Sequence, residues 1–269
     1  MPELILQAKN LKKEFGGVLA VNNVSFSVAR CEIFAIIGPN GAGKTTLFNL
    51  VTGVYALDGG TILFNDSLLT RTAPYERAAR GLARTFQNLQ LFSNMTVLEN
   101  VLVGRHTKSR AGLVGAALRL PGMRREEKLV HEQALQCLEK VGLANRAEQM
   151  VGSLSFGQQR LVEIARAMAT EPQLLLLDEP GAGLQRKDVE ELDNLIRQLR
   201  DGGMTIILVE HNMELVMGIA DRVMVLDYGT KIADGTPLQV QQNDKVIAAY
   251  LGAEDFTAMP VGADDAAAK

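Results

Sequence analysis

The residues with the clearest chemistry in this sequence form a glycine-rich segment that ends in lysine and threonine, Gly38-Pro-Asn-Gly-Ala-Gly-Lys-Thr45. It fits the pattern G-x-x-x-x-G-K-[ST], in which glycines let backbone N–H groups turn toward an anion and the following helix adds its positive end. Lys44 would reach the β- and γ-phosphates, and the Thr45 hydroxyl would ligate Mg²⁺. The segment predicts a nucleoside-triphosphate site made by Gly38, Pro39, Asn40, Gly41, Ala42, Gly43, Lys44, Thr45 and Thr46.

Two adjacent carboxylates form a second candidate site in the segment Leu174-Leu-Leu-Leu-Asp-Glu-Pro180. Asp178 ends an apolar run, and a carboxylate at the carboxyl edge of a sheet can hold Mg²⁺ through water. Glu179 can orient an attacking water and partly deprotonate it. The alternative is a strand that simply ends in solvated acids. A phosphate loop in the same chain favours the catalytic interpretation.

The elements that must position these residues are short strands separated by helices. Residues 33–37, 174–177 and 205–209 are continuous apolar runs, which are typical of strands buried on both faces. Helical patterns lie between them, so we predict an α/β fold with a parallel sheet. The first 70 residues predict mainly strands, and residues 24–28 alternate apolar and polar side chains as a half-buried strand does, so we expect an N-terminal antiparallel portion beside that sheet.

Composition limits the other possibilities. The chain has 269 residues, 47% of them hydrophobic, which is enough to bury a sizeable core. Its 28 basic and 31 acidic residues give a net charge of −3, which argues against a nucleic-acid partner. The longest apolar run, 246–251, is much shorter than the roughly 20 residues that span a bilayer, so we predict no transmembrane segment.

A third motif narrows the prediction from a general triphosphatase to one protein family. The segment Leu154-Ser-Phe-Gly-Gln158 precedes a helical pattern and resembles the signature sequence of ATP-binding cassette (ABC) proteins, together with Gln87 and His211. The resemblance covers residues 4–252 and implies a P-loop NTPase fold. It implies an ATPase domain at 1–252, with a helical subdomain at about 88–160, and we expect a disordered tail at 253–269.

The resemblance also implies roles for single residues, since in this family two copies face each other head to tail and enclose two ATP molecules. It implies that Phe15 stacks on adenine, although a core position is the alternative for this ring. The Mg²⁺ ligands would be Thr45, Gln87 and Asp178. The catalytic residues would be Glu179, His211 and Gln87. The residues that touch the ATP of the opposite copy would be Ser155, Gly157 and Gln158.

Two departures from the family pattern stand out. Phe156 occupies the third signature position, where glycine is usual, so close backbone approach would depend on Gly157. The loop at 181–185 usually ends in Asp or Asn, and here it ends in Gln185, followed by Arg186. Because that loop runs between the two ATP sites, the sequence leaves open how the sites communicate.

Residues 84–100, 180–184 and 232–237 look like the corresponding segments of importers of branched-chain amino acids. Those systems use two different ATPases, and the longer one carries an extra helical segment, matched here by about 107–125. The implied function is the ATP-hydrolysing subunit of a membrane importer for branched-chain or related amino acids. The alternatives are the ATPase of a lipid or lipopolysaccharide exporter, or of an amide or urea importer. A non-transport cassette that acts on nucleic acid or ribosomes is disfavoured, because the chain has neither a long coiled-coil insertion nor a second cassette.

The implied partners follow from this function. They are two transmembrane permease subunits, a second paralogous ATPase or a second copy of this chain, and indirectly a periplasmic or extracellular solute-binding protein. The chain would lie peripherally at the cytoplasmic face of the inner membrane. Leu89, Leu91 and Phe92 would contact a permease helix, although burial beneath a loop is the alternative for these side chains.

Overall fold

The computed structural model describes residues 3–105 and 121–251, in which ten strands form two sheets. The strands are β1 Leu4–Phe15, β2 Val18–Ala29, β3 Ile33–Ile37, β4 Gly59–Phe64, β5 Ser67–Leu68, β6 Leu82–Arg84, β7 Leu174–Asp178, β8 Thr205–Val209, β9 Arg222–Asp227 and β10 Thr230–Gly235. The α-helices of the described residues are α1 Lys44–Thr52, α2 Pro74–Ala79, α3 Val97–Arg105, α4 Pro121–Lys140, α5 Phe156–Met168, α6 Arg186–Asp201, α7 Met213–Ile219, α8 Pro237–Gln241 and α9 Asp244–Leu251.

The larger sheet has the strand order β10-β9-β3-β8-β7-β6, and its strands are parallel except for β10. Every residue of β3, β7 and β8 is buried, because both faces of the sheet are covered. This confirms the predicted α/β fold with a parallel sheet.

The smaller sheet is antiparallel, with the order β2-β1-β4-β5, as the sequence predicted for the N-terminal portion. It shares one apolar core with α1 and one face of the larger sheet. Within that core the rings of Phe26 and Phe34 stack with centroids 5.5 Å apart. The N-terminal strands are therefore packed directly onto the sheet that carries the phosphate loop.

Helices α3, α4 and α5 pack against one another over the other face of the larger sheet. Helix α4 begins at Pro121, which suits the first turn of a helix because its missing N–H has no partner there anyway. Most of the predicted extra segment at 107–125 lies outside the described residues, as does the predicted tail at 253–269. The division into a 1–252 domain with a helical subdomain at 88–160 stays a prediction.

Strand β6 ends at Arg84. The carbonyls of Phe86 and Gln87, just beyond it, accept hydrogen bonds from Arg160. Two short helices, α8 and α9, follow β10. Over the described ranges, no helix combines the length and the apolarity that crossing a membrane requires.

Candidate nucleotide site

Four neighbouring strands of the larger sheet end at the same edge, because β3, β8, β7 and β6 run parallel. The phosphate loop starts after β3, Glu210 and His211 follow β8, and Glu179 follows β7. Gln87 comes three residues after β6. The topology thus collects segments from four separate parts of the chain, and we call the group made by Lys44, Gln87, Asp178, Glu179, Glu210 and His211 the strand-end cluster.

The phosphate loop packs closely against the backbone of β2 and β9, and this explains why two of its residues are glycine. Gly38 has φ +151°, and a Cβ there would lie 2.1 Å from the Leu226 carbonyl oxygen. Gly43 has φ +97° and precedes α1, and a Cβ there would lie 2.3 Å from the Ala20 carbonyl oxygen. Only glycine allows this approach, so β2 and β9 hold the loop in a fixed shape.

Lys44 is the first residue of α1 and is only 6% exposed. Its Nζ donates hydrogen bonds to the carbonyl oxygens of Gly38, at 2.6 Å, and Pro39, at 3.1 Å. The next residue, Thr45, is exposed, and the first turn of α1 contains no acidic side chain. A buried ammonium group and the positive end of a helix therefore share one concave loop, which suits an anion.

Asp178 ends β7 and is 3% exposed. Burial raises its pKa to about 6, while the positive charge of Arg84 acts in the opposite direction. Arg84 Nη2 lies 3.5 Å from Asp178 Oδ2, and Nη1 donates to Asn49 and Thr52 of α1 at 2.9 Å each. Arg84 thus ties the acid to the helix that begins in the phosphate loop. This role of Arg84 is not predictable from the sequence, since nothing in its spacing points to α1.

Glu179, Gln87 and His211 lie close together in the structure. Gln87 Nε2 donates to Glu179 Oε2 at 2.9 Å, and His211 Nδ1 lies 3.7 Å from the same oxygen. The Glu179 backbone has φ +45° and donates its N–H to the Val209 carbonyl oxygen at 2.8 Å. A left-handed conformation at a non-glycine residue costs about 1 kcal/mol or more and is common at functional sites. Here it turns the chain directly after β7, where Glu179 meets Gln87.

Glu210 is a fully buried acid that sequence analysis did not single out. Its carboxylate accepts backbone hydrogen bonds from Gly181 at 2.6 Å, His211 at 3.1 Å and Asn212 at 3.3 Å. Burial raises its pKa. Glu210 therefore joins the loop after Glu179 to the start of the His211 segment. An acid at the end of a strand looks solvated in the sequence, so only packing reveals this role.

The signature residues lie at a second location. Ser155 caps α5, accepting from the Gln158 N–H at 3.3 Å, while the Gln158 side chain accepts from the Ser155 N–H at 3.3 Å. A Cβ on Gly157 would lie 2.8 Å from the Asp188 carboxylate of α6. The structure therefore places Ser155, Gly157 and Gln158 beside α6, not around the phosphate loop of their own chain. Phe156, between them, is 47% exposed.

Phe15 lies at the end of β1 and is 42% exposed, so the alternative of a core position is wrong. Its ring centroid is 5.2 Å from that of Tyr55, in an edge-on arrangement. The following strand, β2, carries Ala20, whose carbonyl contacts the phosphate loop at Gly43. An exposed aromatic ring therefore stands on a hairpin that packs against the phosphate loop.

Comparison with known proteins agrees with this fold. The family model described as ABC transporter matches residues 21–182, and a model for branched-chain amino acid ATP-binding cassette transporters matches residues 230–255. The chain is 47% identical over 253 residues to the high-affinity branched-chain amino acid transport ATP-binding protein LivG of Escherichia coli K12, covering 94% of this chain and 99% of that protein. It is 44% identical over the same length, with the same coverage, to BraF of Pseudomonas aeruginosa, which carries the same description.

Solved structures are similar as well. A crystal structure of an ABC transporter cassette in its ADP conformation superposes with a TM-score of 0.82 at 34% identity, over 93% of this chain and 99% of that one. A nucleotide-free cassette gives a TM-score of 0.80 at 34% identity, over 92% and 98%. The fold and the strand-end cluster define a P-loop ATPase. The chain belongs to the ABC transporter family of ATP-binding subunits.

Proposed function

We propose that this chain is the ATP-hydrolysing subunit of a membrane importer for branched-chain or related amino acids. The observation that carries the ATPase part is the hydrogen bond from Gln87 to Glu179 at the strand ends, in a site that also contains a buried lysine at a helix start. The solute class is supported by the match of residues 230–255 and by the printed names of relatives that span nearly the whole chain.

In this proposal the phosphate loop, 38–46, holds the triphosphate through its backbone N–H groups and Lys44, while Phe15 stacks on the adenine. The residues that would hold Mg²⁺ are Thr45, Gln87 and Asp178. Their hydroxyl, amide and carboxylate oxygens are the donors that this cation prefers, and the burial of Asp178 leaves its charge weakly screened. Bound Mg²⁺ would neutralise charge on the β- and γ-phosphate oxygens.

Glu179 is the proposed general base. Its carboxylate is 16% exposed, so water can reach it, and Gln87 orients the same oxygen that lies nearest to His211. A positioned carboxylate of this kind can take a proton from an attacking water. His211 would contact the γ-phosphate, and Gln87 would hold Glu179 in place through the hydrogen bond to its Oε2.

The signature residues would act on the ATP of an opposing subunit. Ser155 is exposed and caps α5, so a hydroxyl and the positive end of a 13-residue helix face out of the chain. The opposing subunit would be a paralogous ATPase or a second copy of this chain. Closing the pair on ATP would draw the attached permeases toward one orientation, because ATP binds the closed state more tightly than the open one.

An apolar groove of about 620 Å³ is the proposed docking site for a permease helix. Its lining includes Leu91 and Phe92, which the sequence predicted for this contact, but not Leu89. Phe86 and Phe92 are both more than 40% exposed in its wall. The chain would sit peripherally at the cytoplasmic face of the inner membrane, with an external binding protein supplying the solute.

The test is to purify the Glu179→Gln protein with ATP from its native membranes in mild detergent and to identify the proteins that accompany it. Two multi-span permeases with a second ATPase would support the importer. A lipid-export assembly would replace the proposed solute class, and nucleic acid or ribosomes without membrane protein would overturn the transport function.

A matched pair of variants tests the groove in the same preparation. Phe92→Asp places a charge in the groove and should release the permeases. Leu68→Asp is the control, because Leu68 is 57% exposed on β5 and is not part of the groove lining. Equal recovery of permeases with both variants would exclude the groove as their docking site.

A further inference from the structure

The segment that carries Gln87 is held by the helix that begins at the signature. Arg160 lies in the second turn of α5 and is 1% exposed. Its Nη1 donates to the Phe86 carbonyl oxygen at 2.8 Å, and its Nη2 donates to the Gln87 carbonyl oxygen at 2.9 Å. One planar guanidinium group thus binds two consecutive carbonyls, a geometry that lysine cannot reproduce.

Glu163, one turn further along α5, binds both Arg160 and the same backbone segment. It is also 1% exposed, and its Oε2 accepts from Arg160 Nη1 at 2.8 Å. Its Oε1 accepts from the Phe86 N–H at 3.3 Å. Burial raises the pKa of Glu163, and the charge of Arg160 acts against this rise. The pair therefore binds the backbone of the Gln87 segment from both its donor and acceptor sides.

The side chain of Gln87 contacts Glu179, the proposed catalytic base. The Gln87 side chain donates to Glu179 at 2.9 Å, whereas its backbone carbonyl is bound by Arg160 at 2.9 Å. Ser155, the proposed contact to the ATP of the opposing subunit, is the N-cap of α5. A continuous series of contacts thus runs from the signature through Arg160 and Gln87 to Glu179.

We propose that Arg160 and Glu163 are positioning residues. By binding the backbone of Phe86 and Gln87, they hold the Gln87 side chain in place at Glu179. This proposal rests on the proposed function, in which Gln87 and Glu179 take part in ATP hydrolysis.

The test uses Arg160→Lys in the purified full-length chain, with Arg105→Lys as the matched control. Arg105 is another buried arginine, 7% exposed, which donates to the Ala169 carbonyl oxygen at 3.0 Å and pairs with Glu171. Both arginines have a buried Nε without a hydrogen-bond partner, so the two substitutions disturb similar surroundings. Arg105 does not touch the Gln87 segment through either of these contacts.

Arg160→Lys should lower the maximal ATPase rate about 10-fold and leave the nucleotide Kd within about two-fold, because small misplacements of catalytic groups cost rate more than binding. Arg105→Lys should lower Tm by about as much as Arg160→Lys does, but its ATPase rate should stay within about two-fold of that of the unaltered chain. In a Gln87→Ala background, Arg160→Lys should change the rate by less than about two-fold, since residues that act through one another are not additive.

Hydrogen exchange gives a readout that does not depend on turnover. Amide exchange in a peptide covering residues 86–90 should become about 10-fold faster in Arg160→Lys and stay unchanged in Arg105→Lys. If Arg160→Lys does not fold, Glu163→Gln takes its place, with the same direction of change expected.

Three results would overturn the link: unchanged exchange at 86–90, an equal loss of rate in the Arg105 control, or a full further loss in the Gln87→Ala background. The proposed function fails separately, if the unaltered chain does not bind ATP or if Glu179→Gln keeps normal turnover.

Discussion

The strand-end cluster and the signature end of α5 both contain polar side chains, but those of the cluster are bound to several partners inside the chain, whereas Ser155 at the signature is exposed. In the cluster, Lys44 is bound by two carbonyls of its own loop, Glu179 accepts from Gln87, and Glu210 accepts from three backbone N–H groups. At the signature, Ser155 is exposed, and its side chain caps the helix by accepting from the Gln158 N–H of the same turn.

This difference separates two kinds of chemistry. Groups whose partners lie inside the chain are held in place before any ligand arrives, which favours catalysis. A helix end that faces outward can act only when something outside the chain is brought to it. The comparison therefore predicts that changes in the cluster act on binding and turnover within one subunit, whereas changes at the signature act on events between subunits.

The largest effect is expected from Glu179→Gln. The amide cannot accept a proton from water, so turnover should fall by at least about 10²-fold while ATP binding persists. Phosphate release and nucleotide binding measure the two quantities. Glu190→Gln is the control, because Glu190 is 68% exposed and pairs only weakly with Arg186 at 3.6 Å. Normal turnover in Glu179→Gln would remove this residue from the role of base.

Lys44→Ala should weaken nucleotide binding by about 10- to 100-fold, which corresponds to the loss of a charge-assisted hydrogen bond. Titration with a fluorescent ATP analogue measures this change. Lys128→Ala serves as the control, since Lys128 is 79% exposed on α4 and its carboxylate partner Glu132 is 3.7 Å away. An unchanged affinity in Lys44→Ala would exclude the lysine from the phosphate site.

Ser155→Ala tests the signature end of α5. Thr236→Ala is closely matched, because both residues cap a helix through the same reciprocal arrangement with a glutamine three positions on. Each substitution should cost about 1 kcal/mol of helix-cap stability. Only Ser155→Ala should reduce turnover, by about 10-fold. ATP affinity measured on dilute, unpaired chains should stay the same in both variants, and a loss there would place the signature in its own chain's site.

The smallest effect concerns pH. Because burial raises the pKa of Glu210 above its ordinary value of 4.5, the folded state binds more protons than the unfolded chain just above that pH. The contribution of Glu210 to stability therefore falls as pH rises through this window. Urea unfolding of the nucleotide-free protein should show a steeper loss of stability as pH rises above 4.5 in the unaltered chain than in Glu210→Gln. Parallel curves would show that Glu210 does not carry this dependence.

Much of the site was predictable from the sequence because its signals are local. Glycines, lysine and threonine at fixed spacing define the loop before α1, and continuous apolar runs define β3, β7 and β8. A parallel sheet then requires that the residues after these strands meet at one edge. In the structure Gln87, Glu179 and His211 lie close together at that edge.

Other contacts could not be predicted, because they join residues far apart in the sequence and no sequence pattern links them. Arg160 and Phe86 are 74 positions apart, and Glu210 and Gly181 are 29 apart. In the sequence, Arg160 belongs to a polar run of a helix and Glu210 looks like a solvated strand end. Their burial depends on how α5 and the strand ends pack together.

The sequence by itself therefore determined the phosphate loop, the class of the fold, the family and the order of the motifs, since each of these depends on residues close together in the chain. Only the tertiary structure decided which buried side chains connect those motifs, and that the signature glycine Gly157 packs against Asp188 of α6. The physical reason is that local spacing sets backbone conformation, whereas the partners of buried charges are selected by the packing of distant elements.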